Sequence, residues 1–442
     1  MRVLMVSGSR ARLPDPVYPL GAAIIGTVAR RTGHEVSWFD ALRHEDPAQA
    51  LAGELASFCP DAICFSIRNI DSGAFPNPEL HFEDHLPLVA TCRRESSAPI
   101  VVGGSGFSLM PRAFARQLKP DCGVVGEGEG VIAGILEGLT AGREYPELVI
   151  ADRHTGERVA PDRDLFDADW YYKHGGVANL QTKRGCPLKC VYCTYPVLEG
   201  TSSRKASPAA VVDEIEALTS LGIRHFFFVD AVFNRPESHA AEVCEAIIRR
   251  ELDISFAGYF VPSGEIRQFP DLLKQAGCTA VELGTDSLSD PVLAALGKGF
   301  SADEAITFSR RIAEVEIPQC HNLILGGPGE TEQTMEESIT RLDAIDPRAV
   351  IVTIGLRVFP GTALADMARS ERDEQLVAEE RLAPVFYIEE AVADTIIDKA
   401  SAWIDARRGW ICPGLGKRYY NLRYFERQRE VRGHRGVMWT LF

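Results

Sequence analysis

Three cysteines stand close together in this chain of 442 residues: Cys186, Cys190 and Cys193, within Lys183-Arg184-Gly185-Cys186-Pro187-Leu188-Lys189-Cys190-Val191-Tyr192-Cys193. Steps of four and three residues let a tight loop wrap three thiolates around one object, and a cubane four-iron, four-sulfur (4Fe-4S) cluster offers three corners for them. The fourth iron then stays open to an external chelating ligand, much as a catalytic zinc site keeps one position for substrate. Gly185 and Pro187 suit a bend that brings backbone against such a cluster. Zinc would want a fourth Cys or His at compatible spacing, and the nearest candidate, His174, lies before the preceding strand. A ferredoxin-like electron carrier fills all four iron positions with cysteine, and this loop supplies three. Cys59, Cys64, Cys92, Cys122, Cys244, Cys278, Cys320 and Cys412 are scattered, and read as core residues rather than a disulfide framework.

The elements that must hold this loop come in two alternating series. The first covers residues 1 to 135. Strands are expected at Arg2 to Val6, Glu35 to Phe39, Ala62 to Ser66, Ile100 to Val102 and Cys122 to Val125. Helices are expected at Leu20 to Arg31, Pro47 to Phe58, Leu86 to Arg94 and from Glu129. Such alternation predicts a doubly wound, Rossmann-like parallel sheet, with ligands at the carboxyl ends of its strands. There Gly103, Gly104, Ser105 and Gly106 form a turn that lets backbone approach a ligand such as a nucleotide tail. Residues 136 to 174 lack strong periodicity and read as a linker.

The second series, residues 175 to 365, has strands expected at Asn179 to Lys183, His225 to Asp230, Ser255 to Phe260, Ala280 to Gly284, Gln319 to Leu325 and Ala349 to Val358. Helices fall at Pro208 to Leu221, Pro236 to Glu251, Asp290 to Leu296, Ala302 to Ala313 and Thr331 to Asp346. Six strand–helix units are too few for a closed eight-unit barrel, so the expectation is a partial (β/α)6 TIM-like barrel with its working residues at the C-terminal strand ends. Residues 366 to 442 read as mainly helical with a basic tail. Lys417, Arg418, Arg423, Arg427, Arg429, Arg432 and Arg435 face only Glu426 and Glu430 there, so the segment is either solvated or a clamp between domains.

Composition narrows the partners. With 45% hydrophobic and 25% charged residues the chain reads as a folded soluble protein. A formal charge of −15 makes nucleic acid an unsuitable partner and favours a polar or cationic small molecule. No apolar run approaches the roughly 20 residues of a membrane span, and the first residues read as a buried strand instead of a signal peptide, so no membrane partner and a cytoplasmic location are expected.

The cysteine motif at the end of the first barrel strand resembles that of the radical S-adenosylmethionine (SAM) superfamily. That resemblance implies a 4Fe-4S cluster on Cys186, Cys190 and Cys193 whose open iron chelates SAM, reductive cleavage to a 5′-deoxyadenosyl radical, and a flavodoxin- or ferredoxin-type reductant. It implies that Tyr192 packs near the adenine and that Asp230, ending Phe228-Val229-Asp230, meets the SAM amino group. Glu282-Leu283-Gly284-Thr285-Asp286-Ser287 resembles the fourth-strand segment whose polar groups, Glu282, Thr285 and Ser287 among them, reach ribose and carboxylate. Gly297-Lys298-Gly299 resembles the basic turn after it. Gly326 and Gly327, in Leu325-Gly326-Gly327-Pro328-Gly329-Glu330-Thr331, resemble the turn whose amides approach adenosine, and Phe359-Pro360-Gly361-Thr362 resembles the sixth strand's exit.

Residues 1 to 135 resemble the cobalamin-binding domain that precedes the radical domain in one branch of the superfamily. The matching pieces are Pro19-Leu20-Gly21, Gly33-His34-Glu35-Val36, Val101-Val102-Gly103-Gly104 and Gly126-Glu127-Gly128-Glu129. The loop Ser7 to Asp15 has no D-x-H-x-x-G, so it offers no histidine as lower cobalt ligand. Ser66 to Asp71 would face the corrin, with Arg68 against cobalt. A purely structural domain is the alternative.

Two reactions follow from the resemblance. One is hydrogen abstraction from a polar intermediate, an amino sugar in the case of the branch's aminoglycoside diol dehydratases, leading to dehydration. Glu282, Asp286 and His321 are its candidate catalytic acids, because departing hydroxide needs a proton. The alternative is cobalamin-dependent C-methylation in natural-product biosynthesis. Methylthiotransferase chemistry is disfavoured, since Cys59, Cys64 and Cys92 do not form the second cysteine trio it uses.

Overall fold

The computed structural model describes all residues except 13–14, 154–157, 266, 372–380, 417–426, 430 and 442. Its first layer of strands is β1 (Arg2–Ser7), β2 (Glu35–Asp40), β3 (Ala62–Ser66), β4 (Ile100–Gly103), β5 (Cys122–Val125) and β6 (Leu148–Ile150). They pair parallel in the order β2-β1-β3-β4-β5-β6. The apolar runs Val3–Val6, Ala62–Phe65 and Ile100–Val102 are buried, as strands covered by helices on both faces must be. The principal helices of this half are α1 (Leu20–Arg31), α2 (Pro47–Phe58), α3 (His85–Glu95), α4 (Ser105–Leu109), α5 (Pro111–Leu118) and α6 (Ile132–Thr140). At the start of α2, Pro47 takes the first helical position and Asp46 accepts from the Gln49 N–H, the pairing that orphan donors at a helix start require.

The segment expected to be a linker is structured. Besides β6, which extends the first sheet, it holds α7 (Ala168–Gly175), capped by Asp167. Three residues of strand are too short for a periodic signal to register.

Three short strands precede and flank the cysteine loop, β7 (Ala178–Leu180) and the antiparallel pair β8 (Lys183–Arg184) with β9 (Arg204–Lys205), with the short α8 (Tyr195–Glu199) between the last two. Next come α9 (Pro208–Ser220), β10 (His225–Phe228), α10 (Glu237–Arg249), β11 (Ser255–Phe260), α11 (Phe269–Gln275) and β12 (Cys278–Asp286). After them lie α12 (Asp290–Ala295), α13 (Ala302–Glu314), β13 (Gln319–Leu325), α14 (Glu332–Ile345) and β14 (Ala349–Ile354). The chain then forms β15 (Leu356–Arg357), α15 (Ala363–Glu371), β16 (Phe386–Tyr387), α16 (Glu390–Ala393), α17 (Ile396–Asp405) and β17 (Trp410–Ile411).

The second sheet is parallel, in the order β17-β14-β13-β12-β11-β10-β7. Its two outer strands do not meet, so it is a partial barrel. It has seven strands where six were expected, because β17 comes from the region read as helical. Strand alternation divides its side chains. Leu323, Leu325, Val350 and Val352 pack with Ala305 and Met335 of the helix layer. Phe227, Ala257, Ala280, Cys320 and Ala349 face the lumen and pack with Val437 and Trp439 of the C-terminal segment. Of the basic tail, Lys417, Arg418, Arg423, Glu426 and Glu430 lie outside the described residues, while Arg429 is buried and pairs with Asp15. Among the described residues no helix is long and apolar enough to cross a membrane.

At the exit of β4, Gly104 has φ +104°, and a Cβ there would lie 2.5 Å from the Ile67 carbonyl oxygen. Both the left-handed backbone and the close approach demand glycine. Gly104→Ala is expected to destabilise the protein by about 1–3 kcal/mol, measured as a lower urea midpoint. An unchanged midpoint would show that the turn accommodates a side chain.

Candidate functional site

The cysteine loop is anchored at both ends. Entering it, the Gly185 N–H donates to Glu199 at 2.9 Å and Cys186 N–H to the Gly200 carbonyl at 3.0 Å. Gly185 has φ +86°, and a Cβ there would meet Ser202 O at 2.2 Å. Leaving it, Val191 N–H donates to Leu296 O at 3.0 Å and its own carbonyl accepts from Leu364 at 2.8 Å. Cys186 is buried and Cys190 and Cys193 are half-buried. Burial pushes all three thiols up, Cys193 to about 12, and iron ligation, which takes thiolates, supplies the compensating positive charge. A cube of irons spreads its cysteines over separate corners, and among the described residues no three His, Cys, Asp or Glu side chains focus on a single ion.

Beside the cysteines sits a buried ion pair. Lys298 Nζ lies 2.6 Å from Asp286 Oδ2, and the Tyr192 hydroxyl donates to the same oxygen. Burial pulls the Lys298 pKa down, but Asp286 and the Cys190 thiolate outweigh it and hold the ammonium charged. Asp286 adopts φ +61° at the end of β12, which turns its carboxylate toward Lys298. Asp286 is therefore a partner of the cysteine loop rather than a free acid, and Tyr192 is fixed through its hydroxyl. Lys298 carries chemistry here that the sequence reading credited only to a basic turn.

On the inner face, Tyr259, Glu282 and Cys320 lie in register across β11, β12 and β13. Tyr259 is 40% exposed although it lies on a central strand facing inward, so its ring borders open space inside the molecule. Trp439 Nε1 donates to Glu282 Oε1 at 2.8 Å. Burial lifts the Glu282 carboxyl from its ordinary 4.5 to about 7, against the Trp439 hydrogen bond. Asp15, brought in by the first loop of the other sheet, is also lifted to about 7 by burial, although Arg429 lies 2.8 Å away and opposes the shift; Glu282 adds to it. Nothing in the sequence pattern joined Asp15, Tyr259, Arg429 and Trp439, which come from three distant segments.

Several expected site residues face elsewhere. His321 is wholly buried toward the helix layer, with Nδ1 2.8 Å from Thr285 Oγ1 and Nε2 3.4 Å from Ser309 of α13. Burial draws its pKa down to about 3, so it is neutral and is no catalytic acid. Thr285 shares that outer position, and the Ser287 hydroxyl bonds Ser338 of α14; neither reaches the lumen. Asp230 accepts from Thr182 N (2.6 Å), Lys183 N (3.1 Å), Thr182 Oγ1 (2.5 Å) and Lys183 Nζ (2.8 Å). Its lone pairs are filled, so it steadies the approach to the cysteine loop instead of meeting an amine. The Gly326 N–H donates to Glu330 at 3.1 Å, as does that of Gly327, so these amides are already engaged.

The carboxyl edge of the first sheet faces the same interior. Gly104 and Gly106 back onto Ile67 and Arg68, and Ser105 Oγ donates to Arg68 O at 3.1 Å, while Gly103 packs on Val124. The turn expected to admit a nucleotide thus holds the segment carrying Arg68. Among the described residues the Arg68 guanidinium has neither carboxylate nor carbonyl partner; burial lowers its pKa, and Tyr171, Tyr259 and Asp40 are the groups whose charges act on it. Deeper in that edge His85 is fully buried with both ring nitrogens unpartnered. A bare, sealed imidazole at the ligand edge of a doubly wound sheet, with the half-buried Arg68 beside that edge, fits a bound polar cofactor, because buried polar groups are otherwise paired.

At three places a carboxylate of the first half pairs with a guanidinium of the second. Arg184, two residues before Cys190's partner Cys186, reaches Glu127 at 3.1 Å and Glu129 at 2.6 Å, and Arg204 reaches Glu127 at 2.8 Å. Arg357 of β15 meets Asp71 at 2.9 Å. Arg429 meets Asp15 as above.

Comparison with known proteins agrees with this arrangement. Residues 180–342 match the family model of the radical SAM superfamily, and residues 7–136 that of the B12 binding domain. These domains bring a 4Fe-4S cluster with SAM and a cobalamin. A tryptophan 2-C-methyltransferase of Streptomyces laurentii is 25% identical, the match covering 82% of this chain and 74% of that protein. The structure of the radical SAM methyltransferase TsrM from Kitasatospora setae, with cobalamin and [4Fe-4S] cluster bound, superposes with a TM-score of 0.85 at 23% identity over 99% of this chain and 96% of that one. The cobalamin-dependent radical enzyme OxsB gives a TM-score of 0.70 at 17% identity, over 92% of this chain and 67% of that one. The two structural likenesses establish the fold.

Glu282 and Asp15 make stability depend on pH. The folded chain keeps protons that the unfolded chain has released between the ordinary carboxylate range and about 7, so stability falls as pH rises through that window. Glu282→Gln is expected to flatten the fall, seen as a smaller drop in Tm from pH 5 to pH 7. A Tm profile parallel to that of the unsubstituted protein would mean that Glu282 titrates normally.

Proposed function

We propose that this chain, a cobalamin-dependent radical SAM enzyme by its two domains, is a C-methyltransferase acting on a small polar molecule with an N–H or ammonium group. The observation that carries this reading is that Arg68, on the ligand edge of the first sheet, and Tyr259, on the inner face of the second, lie close enough to act on one another electrostatically. The B12-binding edge therefore faces the lumen that the cysteine loop caps, and a substrate between them meets both.

When bound, the cluster and SAM supply one-electron chemistry and cobalamin supplies a methyl-carrying cobalt. The residues of the chain do the rest. Cys186, Cys190 and Cys193 would hold the cluster, with Lys298 charged beside them. Arg68, free of a protein anion, would lie against the corrin face. Glu282 would accept a hydrogen bond from the substrate's N–H and orient it; a carboxyl near 7 is half ionised at neutral pH and suits that task. Asp15 adds negative potential that favours a cationic or donor-bearing substrate.

The named activity of the Streptomyces laurentii relative, methylation at carbon 2 of tryptophan, supports this class of reaction. The dehydration reading loses ground: of its three candidate acids, Asp286 is ion-paired and His321 faces the helix layer. The net charge of −15 that suggested an amino sugar is equally served by any amine.

The test is anaerobic reconstitution with iron, sulfide and cobalamin, followed by SAM labelled in its methyl group and a panel of amino acids, indoles and amino sugars. Label on a carbon of an amine-bearing acceptor is expected, and Cys186→Ala, Cys190→Ala or Cys193→Ala should each abolish it while the chain stays soluble. Loss of water from an amino sugar without label incorporation would overturn the proposal.

A further inference from the structure

The first sheet reverses direction between β1 and β3: the chain winds outward to β2 on one side and to β4 and beyond on the other. A crevice opens past the carboxyl ends of the strands at such a switch point, and ligands of doubly wound sheets bind there. Two segments border it. One is Ser7 and Gly8, where β1 ends; the other is Ile67 and Arg68, where β3 ends. The sequence places no histidine in the first of these loops, but the fold delivers one. His85, at the first turn of α3, lies against Gly8 so closely that a Cβ on Gly8 would be 2.2 Å from His85 Nδ1.

His85 has 0% exposure, and neither Nδ1 nor Nε2 has a hydrogen-bond partner. Imidazoles sealed from water are normally bonded through at least one nitrogen. Burial, with His81 adding to it, brings its pKa down to about 4, so the ring is neutral and holds one donor and one acceptor. Of the titratable groups nearby, Asp84 is already engaged with the Arg10 N–H at 3.2 Å. Among the described residues no side chain answers the imidazole.

Resting on the cobalamin reading above, we propose that His85 is a cobalamin-binding residue whose ring hydrogen-bonds the nucleotide tail of the cofactor within this switch-point crevice. The tail is the part it meets because the two orphaned groups lie at different depths. Arg68 is near enough to Tyr259 to face the lumen, where cobalt must meet substrate. His85, the first residue of α3, is sealed behind Gly8. The tail, with its phosphate and ribose hydroxyls, would offer the donors and acceptors that a neutral imidazole in this crevice needs.

The experiment titrates the cluster-loaded protein with cobalamin and with cobinamide, which has the corrin ring but no nucleotide tail, following absorbance. His85→Phe is expected to weaken cobalamin binding about ten-fold, the scale of one lost hydrogen bond, and to leave cobinamide binding and iron content unchanged. His85→Gln, which keeps a donor and an acceptor, should recover most of the loss. In the unsubstituted protein the ring nitrogen resonances of ¹⁵N-labelled His85 should move on adding cobalamin and stay in place with cobinamide, a readout that needs no variant. Equal affinity of the Phe variant for cobalamin, an equal loss with both corrinoids, or unmoved resonances overturn the inference. So does a nitrogen splitting in the cob(II)alamin EPR spectrum that disappears in the Phe variant, since it would make His85 a cobalt ligand. Failure of the unsubstituted protein to take up either corrinoid overturns the functional reading itself and is distinguished by that control.

Discussion

Arg184 stands at the entry to the cysteine loop and inserts its guanidinium between Glu127 and Glu129, on the far side of the domain boundary. All three side chains are largely withdrawn from water, and a charge so placed needs its partner: removing one member leaves a buried ion whose desolvation nothing offsets. The loop holding the cysteines is therefore positioned relative to the first sheet by electrostatics at its base and by backbone hydrogen bonds at its tip. Arg204 strengthens the same contact through Glu127 and also binds the Glu199 carbonyl at 2.9 Å, while the Glu199 carboxylate holds Gly185. One connected network thus runs from Gly126-Glu127-Gly128-Glu129 to the first cysteine.

The interior enclosed by this arrangement is unusual in its charge. Its floor is apolar, built from Phe227, Ala257, Ala280, Cys320, Val437 and Trp439, yet Glu282 stands just above it with the Trp439 indole as its donor. The low-polarity floor raises the cost of ionising Glu282 and the indole N–H fixes one of its oxygens, so orientation and proton affinity are set by the same residue. Arg68 on the opposite side is desolvated as well. A compartment that holds a carboxyl and a guanidinium not paired with each other is organised for a polar guest rather than for packing.

Much of this was legible in the sequence. The parallel strands announced themselves as short continuous apolar runs between helical periods, and α1, α2, β3, β5, β11 and β13 begin and end where that pattern places them. The cysteine loop was legible because its spacing is local. What stayed hidden has two physical causes. Short strands such as β6 and β17 are stabilised by the sheet they join and carry no period of their own. Side-chain direction within a strand depends on the register and bulge of β12, where the pairing shifts between Leu283 and Asp286. That shift sends Thr285 toward His321 and Asp286 toward Lys298, and no motif resemblance encodes it. Asp15, His85, Arg429 and Trp439 belong to the interior only through tertiary contacts, so no pattern along the chain could nominate them.

Three ties between the halves, Glu127 and Glu129 with Arg184, Asp71 with Arg357, and Asp15 with Arg429, set a carboxylate of the first half against a guanidinium of the second part of the chain, while Arg158 and Arg163 of the connecting segment reverse the polarity on Glu214 of α9. Were one half to melt alone, the survivor would present largely buried charges stripped of their partners. Neither remnant is a comfortable solitary body. The border so clear in the order of strands and helices is thus no border in energy, and the two sheets form a single cooperative unit.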